Sequence, residues 1–264
     1  MLKEKKGNKD LTQVSMDRFN KLEYPNDDFP FYNGLPVKIS GLKWLFVMAM
    51  SIVGFAILVI PFGFFSSFYM QFIRAVLFFA IPLVGLAIVA KKHWRAIFRK
   101  VKGKDVLWMF GIAFLNIIVT MTIAVVVKRI FGVNSNPAVA GLAEQTASEQ
   151  VFFFINAIPG LFGEEVLTIL PFLALMYMFS SHMKLSRKKS IIGAWLISAV
   201  IFGLAHLPTY SWDFIQCIVI IGSARLVLSL AYIKTKNIWV STGAHIINDW
   251  TMFLFTIVAA AMTG

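Results

Sequence analysis

Six side chains able to act as acids, bases or hydrogen-bond donors stand inside apolar stretches where such groups are costly. Glu164 and Glu165 lie in LFGEEVLTILPF (161–172), His206 ends FGLAH (202–206), and His245, Asn248 and Asp249 belong to HIIND (245–249). A charged side chain at the centre of a membrane helix costs roughly 2.5–3.5 kcal/mol on insertion scales, so each of these groups needs an interfacial position or an interior that uses it. The chemistry they suit is activation of water, because a desolvated carboxylate has a raised pKa and serves as a base near neutrality, and an imidazole exchanges its proton in the same range.

Spacing decides which of them can meet. Glu164 and Glu165 are successive and point about 100° apart on a helix, so one at most faces a given cavity squarely. Phe202 and His206 are four residues apart and share a face. His245, Asn248 and Asp249 stand at i, i+3 and i+4 and project to one side of their helix. Structural readings compete with the chemical one. The glutamates fit the first turn of a helix opened by PGLFG (159–163), where the dipole favours carboxylates. His206 fits a packing histidine, and His245 with Asp249 fits interhelical glue. The other polar groups in apolar stretches are Arg74, Asn116 and Arg225, the last as able to snorkel as to pair with Glu165 or Asp249.

The elements that position these groups follow from composition. With 58% hydrophobic and 14% charged residues in 264, and a positive mean hydropathy, the chain reads as an all-α, polytopic membrane helix bundle. Runs long enough to cross about 30 Å of hydrocarbon lie near 43–65, 69–90, 106–127, 150–181, 190–208, 213–233 and 238–262. That makes seven spans, or eight if an interfacial or re-entrant segment is counted; residues 129–150, too polar to span, read as an interfacial loop or short surface helix. The excess of 25 Lys and Arg over 13 Asp and Glu sits in the tail, in 91–104, in 182–190 and in KTKN (234–237), a topology signal rather than a nucleic-acid surface. It places those segments, with the N-terminus, on the cytoplasmic side of a multi-pass plasma-membrane protein. Residues 1–42 read as a polar cytoplasmic tail, partly disordered and lacking a signal peptide, ahead of one transmembrane domain over 43–264. The single cysteine, Cys217, excludes an internal disulfide and a Cys-based metal motif.

Glu-Glu on one span, Phe-x-x-x-His on the next and His-x-x-x-Asn/Asp on the last resemble the three motifs of the CPBP, or Abi, family of intramembrane endopeptidases, related to type II CAAX prenyl endopeptidases and bacteriocin-processing or immunity proteins. The resemblance covers about 150–255 and includes the flanking VIFGLAHL and TKNIWVSTGAHIINDW. It implies hydrolysis of a peptide bond in a leader-type peptide or membrane-anchored protein substrate, by water rather than a covalent nucleophile, in a bacterial cell membrane. Carried over, Glu164 acts with His206 to activate water, His245 and Asp249 stabilise the oxyanion or bind metal, and Glu165 orients or ligates. Two histidines with carboxylates also resemble a zinc set, with Glu165, His206, His245 and Asp249 as the open ligand choices, so glutamate-dependent and zinc-dependent hydrolysis both stand.

The chain departs from the family pattern twice. The first motif usually continues Glu-Glu-x-x-x-Arg, but here the arginine position is Ile169; either Arg225 compensates from the sixth span or the acids stay partly protonated. Asp249 stands where an asparagine is usual, so its role as amide donor passes to Asn248 or is replaced by holding His245 in one tautomer. At 1.5 Å per residue His206 lies about 24 Å and His245 about 16 Å above their basic loops, a gap that tilt or kinks must close. Two further classes remain: a non-catalytic scaffold or immunity relative, suggested by Ile169, and a proton-relay transporter. Oligomeric state is left open.

Overall fold

The computed structural model describes residues 17–25, 27–61, 63, 68–137 and 139–263, and among them regular structure is entirely helical. Seven long helices follow the apolar runs: α1 (Gly41–Val59), α2 (Phe68–Ala90), α3 (Gly103–Phe131), α4 (Ala147–Tyr177), α5 (Arg187–Ala205), α6 (Gly222–Thr235) and α7 (Ile238–Thr263). All seven, the sixth taken from Gln216 to Thr235 with the wider turn that leads into it, are long and apolar enough to cross a membrane. Wider π-helical turns over Met178–His182 and Gln216–Ile221 extend α4 and lead into α6.

α4 begins earlier than the glycine-proline signal at 159–163 suggests. Thr146 caps it, accepting from the Glu149 amide, while the Glu149 carboxylate accepts from the Thr146 N–H at 2.8 Å. The helix then runs through Pro159 and Pro171 to Tyr177. The glutamates therefore sit deep within it, which overturns the first-turn reading.

α4 is the most enclosed of the seven and packs on α2, α5 and α7; α6 packs on α5 and α7. The four helices α4, α5, α6 and α7 thus close a ring, with α4 facing α6 across it. α1 and α2 form a hairpin on the outside of α4, and α3 lies against α6 and α7. Small residues allow the close approaches: a Cβ on Gly203 would meet the Cys217 carbonyl at 2.5 Å, so only glycine lets α5 come this near the turn that enters α6.

The N-terminal segment departs from its expected disorder. Residues 1–16 lie outside the described residues, but Phe29, Phe31, Tyr32 and Ile39 are buried in the main core with Trp44, Leu170, Leu173 and Tyr232. Phe29 packs its ring 5.4 Å from Phe172 and 6.0 Å from Tyr232. Acidic residues of the same strap bind the basic loops. Arg99 pairs with Asp27, Arg187 contacts Glu23 at 2.5 Å and Asp28 at 2.8 Å, and Lys236 stands 2.9 Å from Glu23. Asn237 bonds the Arg99 backbone through both its carbonyl and its amide. The strap and the segments around 99, 187 and 236 therefore gather at one end of the bundle, as their shared basic character suggests. Arg74 takes a structural role, donating to the Ile57 and Ile60 carbonyls at the end of α1, both at 2.6 Å.

Candidate active site

Glu165, on α4, is fully buried at the centre of the ring. A lone ionised carboxylate there would be untenable, but four hydrogen bonds reach it, about as many as its lone-pair positions. Arg225 of α6 donates from Nη1 to Oε1 at 2.6 Å and from Nη2 to Oε2 at 3.0 Å, a bidentate pair. Ser241 of α7 donates its hydroxyl to Oε2, and His245 of α7 places Nδ1 2.9 Å from Oε1. Because a carboxylate only accepts, that Nδ1 carries the proton and His245 presents Nε2 outward from Glu165.

Nε2 of His245 faces Glu164 at 3.7 Å and Asp249 at 3.6 Å. Both separations exceed direct hydrogen-bond length and suit a bridge through a shared water. The side chains of Glu164 and Asp249 are each 25% exposed, against 6% for His245, so the carboxylates mark the open side of the cluster. The two successive glutamates thus divide as their 100° separation requires, one locked inward and one at the opening.

His206 is the residue at which α5 ends. Its Nδ1 lies 2.8 Å from the Phe202 carbonyl; since that oxygen can only accept, Nδ1 is the donor and a neutral ring keeps its lone pair at Nε2. Phe202 serves both sides of the site, its ring 4.6 Å from that of His206 and 5.1 Å below the Arg225 guanidinium.

Arg225 takes the partner role left open by Ile169, which is buried in the core four residues along α4 from Glu165. Arg225 and Ile169 line one small apolar pocket with Thr168, Phe172 and Ser229, so the arginine from α6 passes beside the position the family pattern gives to an arginine of α4. Ser229 fixes its Nε at 3.3 Å. This pairing also removes Glu165 from the candidate metal ligands, because a cation there would have to displace Arg225. Among the described residues no three His, Cys, Asp or Glu side chains are grouped closely enough to hold a metal ion.

Asn248 bonds Asp249 through Nδ2 at 2.8 Å and accepts from Asn116 of α3 at 2.9 Å. Two contributors were not singled out by sequence reasoning. Ser241 lies four residues before His245, one turn away on the same face of α7, a spacing that could have flagged it. Tyr210, in the loop after α5, lies with its ring 6.5 Å from His206 in a near-parallel stack. Burial first, and then the charges of Glu164 and Asp249, push its phenol up to about 12, so it remains an O–H donor at neutral pH.

Residues 146–251 match the type II CAAX prenyl endopeptidase Rce1-like family. This segment is Rce1-like. It spans α4 through the first half of α7 and contains all five residues assigned to the chemistry: Glu164, Glu165, His206, His245 and Asp249. Neither a curated protein nor a solved structure matches the chain. The Rce1-like segment and the seven apolar helices together point to a multi-pass membrane protein.

Proposed function

We propose that the protein is an intramembrane endopeptidase that hydrolyses a peptide bond in a leader-type peptide or a membrane-anchored protein substrate. The observation that carries this reading is the convergence of Glu164 and Asp249 on Nε2 of His245, each within 3.7 Å of it, beside a Glu165 whose own charge is paired with Arg225. A carboxylate left at the opening beside a locked one is what a general base needs.

Water held between Glu164 and Nε2 of His206 gives up a proton to Glu164 as its oxygen bonds to the scissile carbonyl carbon. The carbonyl oxygen becomes an oxyanion, which accepts from Nε2–H of His245; with Nδ1–H already given to Glu165, this second proton makes the ring an imidazolium, held between Glu165 on one side and Glu164 and Asp249 on the other. Collapse of the tetrahedral species breaks the C–N bond and returns the proton from Glu164 to the leaving amine, so protons and electron pairs balance without a covalent intermediate. Glu165 acts through His245: accepting from Nδ1–H, it balances the charge of the imidazolium and aims Nε2–H. Asp249, which accepts but does not donate when ionised, holds that Nε2–H in place. The basic end bearing the strap faces the cytoplasm of a bacterial cell on the positive-inside argument.

Cleavage of a membrane-anchored reporter peptide by the purified chain in liposomes tests this reading. Glu164→Gln, His206→Ala and His245→Ala are each expected to abolish product; cleavage unchanged in all three would remove it.

A further inference from the structure

We propose that Asn116 on α3 is a positioning residue for this reaction: by fixing the amide of Asn248 it aims one N–H at Asp249 and holds that carboxylate against His245. The inference rests on the hydrolase reading and adds a residue from outside the Rce1-like segment, which begins at residue 146.

Three observations carry it. Asn116 is 1% exposed on a helix whose other faces present Leu107, Phe110, Phe114 and Ile118 outward, so its amide is turned inward to a specific use. Its Nδ2 donates to Asn248 Oδ1 at 2.9 Å, and Asn248 Nδ2 donates to Asp249 Oδ1 at 2.8 Å. That same Asp249 oxygen stands 3.6 Å from His245 Nε2.

The direction of the relay is set from its far end. An ionised carboxylate accepts only, so Asn248 must show Asp249 its NH2 group and turn its carbonyl to Asn116. Asn116 must then present its own NH2, which leaves its Oδ1 to accept from Thr120 Oγ1 at 3.4 Å. Rotating the Asn248 amide by half a turn would set carbonyl against carboxylate at one end and NH2 against NH2 at the other. With Asn116 in place that rotamer is doubly penalised; without it only one contact opposes the flip. The residue thus supplies rigidity to an aspartate that stands where the family pattern has an amide.

The test uses the full chain in liposomes with the reporter peptide. Asn116→Leu removes the donor while filling the space, and is expected to lower kcat about tenfold or more with KM changed less than about twofold, and to displace the pH–rate profile by about half a unit or more. Asn248→Leu and the double variant complete a cycle: a shared relay predicts a double variant no more than about twofold below Asn248→Leu alone, whereas independent roles multiply. Asn116→Asp keeps the side-chain shape and covers the case in which the leucine variant does not fold. Its carboxyl can donate only while protonated, so its activity relative to the parent should fall as pH rises. Thr122→Ala, exposed on the same helix, is expected to change nothing. An unaltered kcat and pH profile in Asn116→Leu, a multiplicative double variant, or a flat Asn116→Asp ratio would each overturn the proposal. A parent chain whose cleavage is indifferent to Glu164→Gln removes the hydrolase reading and this inference with it; cleavage stopped by Glu164→Gln but blind to Asn116 removes the inference alone.

Discussion

Two carboxylates in this molecule are withdrawn from solvent and surrounded by donors, and they do different things. Glu165 sits in the ring of α4 to α7 with Arg225, Ser241 and His245. Glu23 sits under the N-terminal strap with Arg187 at 2.8 and 2.5 Å, Lys236 at 2.9 Å and the Phe19 amide at 3.0 Å. Each has a bidentate arginine and two further partners, a hydroxyl and an imidazole for Glu165, an ammonium charge and a backbone amide for Glu23, so satisfaction of the acid does not distinguish them. The neighbours do. Beside Glu23, Asp28 is also saturated, by Arg187, by the Tyr32 hydroxyl at 2.8 Å and by the Phe29 amide at 2.9 Å. Beside Glu165 stand Glu164 and Asp249, one-quarter exposed and separated from His245 by lengths that suit a bridging water. A charge network with nothing left over fastens a fold; one with acids and a ring nitrogen to spare can take part in a reaction.

The largest effects should come from those spare groups. Glu164→Gln keeps the shape and removes the base, and the expected loss is at least about a thousandfold in kcat, in the range in which general bases and their positioned water matter most. Its thermal stability should change little, because Glu164 is one-quarter exposed and comes no nearer than 3.7 Å to His245 in its one ion pair among the described residues. Glu23→Gln should show the reverse, lowering stability while leaving kcat per folded molecule near the parent value. Parallel kinetics and thermal unfolding of the two variants check the distinction; equal losses of activity would erase it.

Arg225 comes next. Removing one partner of a buried ion pair costs about 3–5 kcal/mol, since the other charge is left uncompensated. Arg225→Leu should therefore lose both folding yield and activity. The narrow pocket shared with Ile169 makes a specific rescue available: in Ile169→Arg with Arg225→Leu, the guanidinium returns from α4 itself, four residues from Glu165. Recovery of cleavage in the double variant, measured against Arg225→Leu alone, would show that the charge matters and its helix of origin does not. No recovery would assign Arg225 a role beyond pairing, such as the contact with Phe202. The same pairing weakens the case for a non-catalytic relative, which stood on the absence of an arginine at 169.

Much of this arrangement could be read from the sequence, and the reasons for the rest are physical. The seven spans follow from apolar length alone, and the division of Glu164 from Glu165 follows from the helical turn between successive residues. The span placed at 150–181 is met by a helix from Ala147, where Thr146 and Glu149 carry the capping-box spacing; only the competing first-turn reading of the glutamates fails, because Pro159 and Gly160 look like a beginning but lie inside the helix. The strap was missed because Phe29, Pro30, Phe31 and Tyr32 are too few to show a period and are embedded among acids that resemble a solvated tail. Glu23 is buried, and Asp28 partly so, only because Arg187 and Lys236, more than 150 residues away, come to meet them. Periodicity cannot express such a pairing. Tyr210 escaped for a similar reason, since a loop tyrosine gives no sign of which ring it will lie against.

The strap offers a pH test of the comparison. Burial alone would raise the Glu23 carboxyl, but the hydrogen bonds from Arg187 and the charge of Lys236 outweigh it and hold the group down to about 2, from 4.5. A depressed carboxyl contributes stability that is present above its unfolded value and is lost as the folded protein takes up the proton. The contribution, about 3 kcal/mol at neutral pH, should therefore disappear between about pH 4.5 and about 2. Acid unfolding followed by tryptophan fluorescence should be steep across that window in the parent and flatter in Glu23→Gln. Curves of the same slope would mean that the ion pairs of the strap do not govern its docking.

The smallest effect separates the two networks by one hydrogen bond. Ser241 is the weakest of the three partners of Glu165, a neutral hydroxyl beside a guanidinium and an imidazole, and a typical bond of this kind is worth about 1 kcal/mol net. Ser241→Ala leaves Arg225 and His245 in place, so the fold should survive with a small decrease in thermal stability. Its catalytic effect depends on whether Glu165 is a fastening or an orienting group. If the carboxylate merely neutralises Arg225, losing one of four donors leaves cleavage untouched. If it fixes the His245 ring, the freed Oε2 lets the carboxylate swing about its remaining contacts, and Nε2 moves with it. A fall of a few-fold in kcat at constant KM, with stability nearly unchanged, is the expected result, because orientation is sensitive to displacements that packing tolerates.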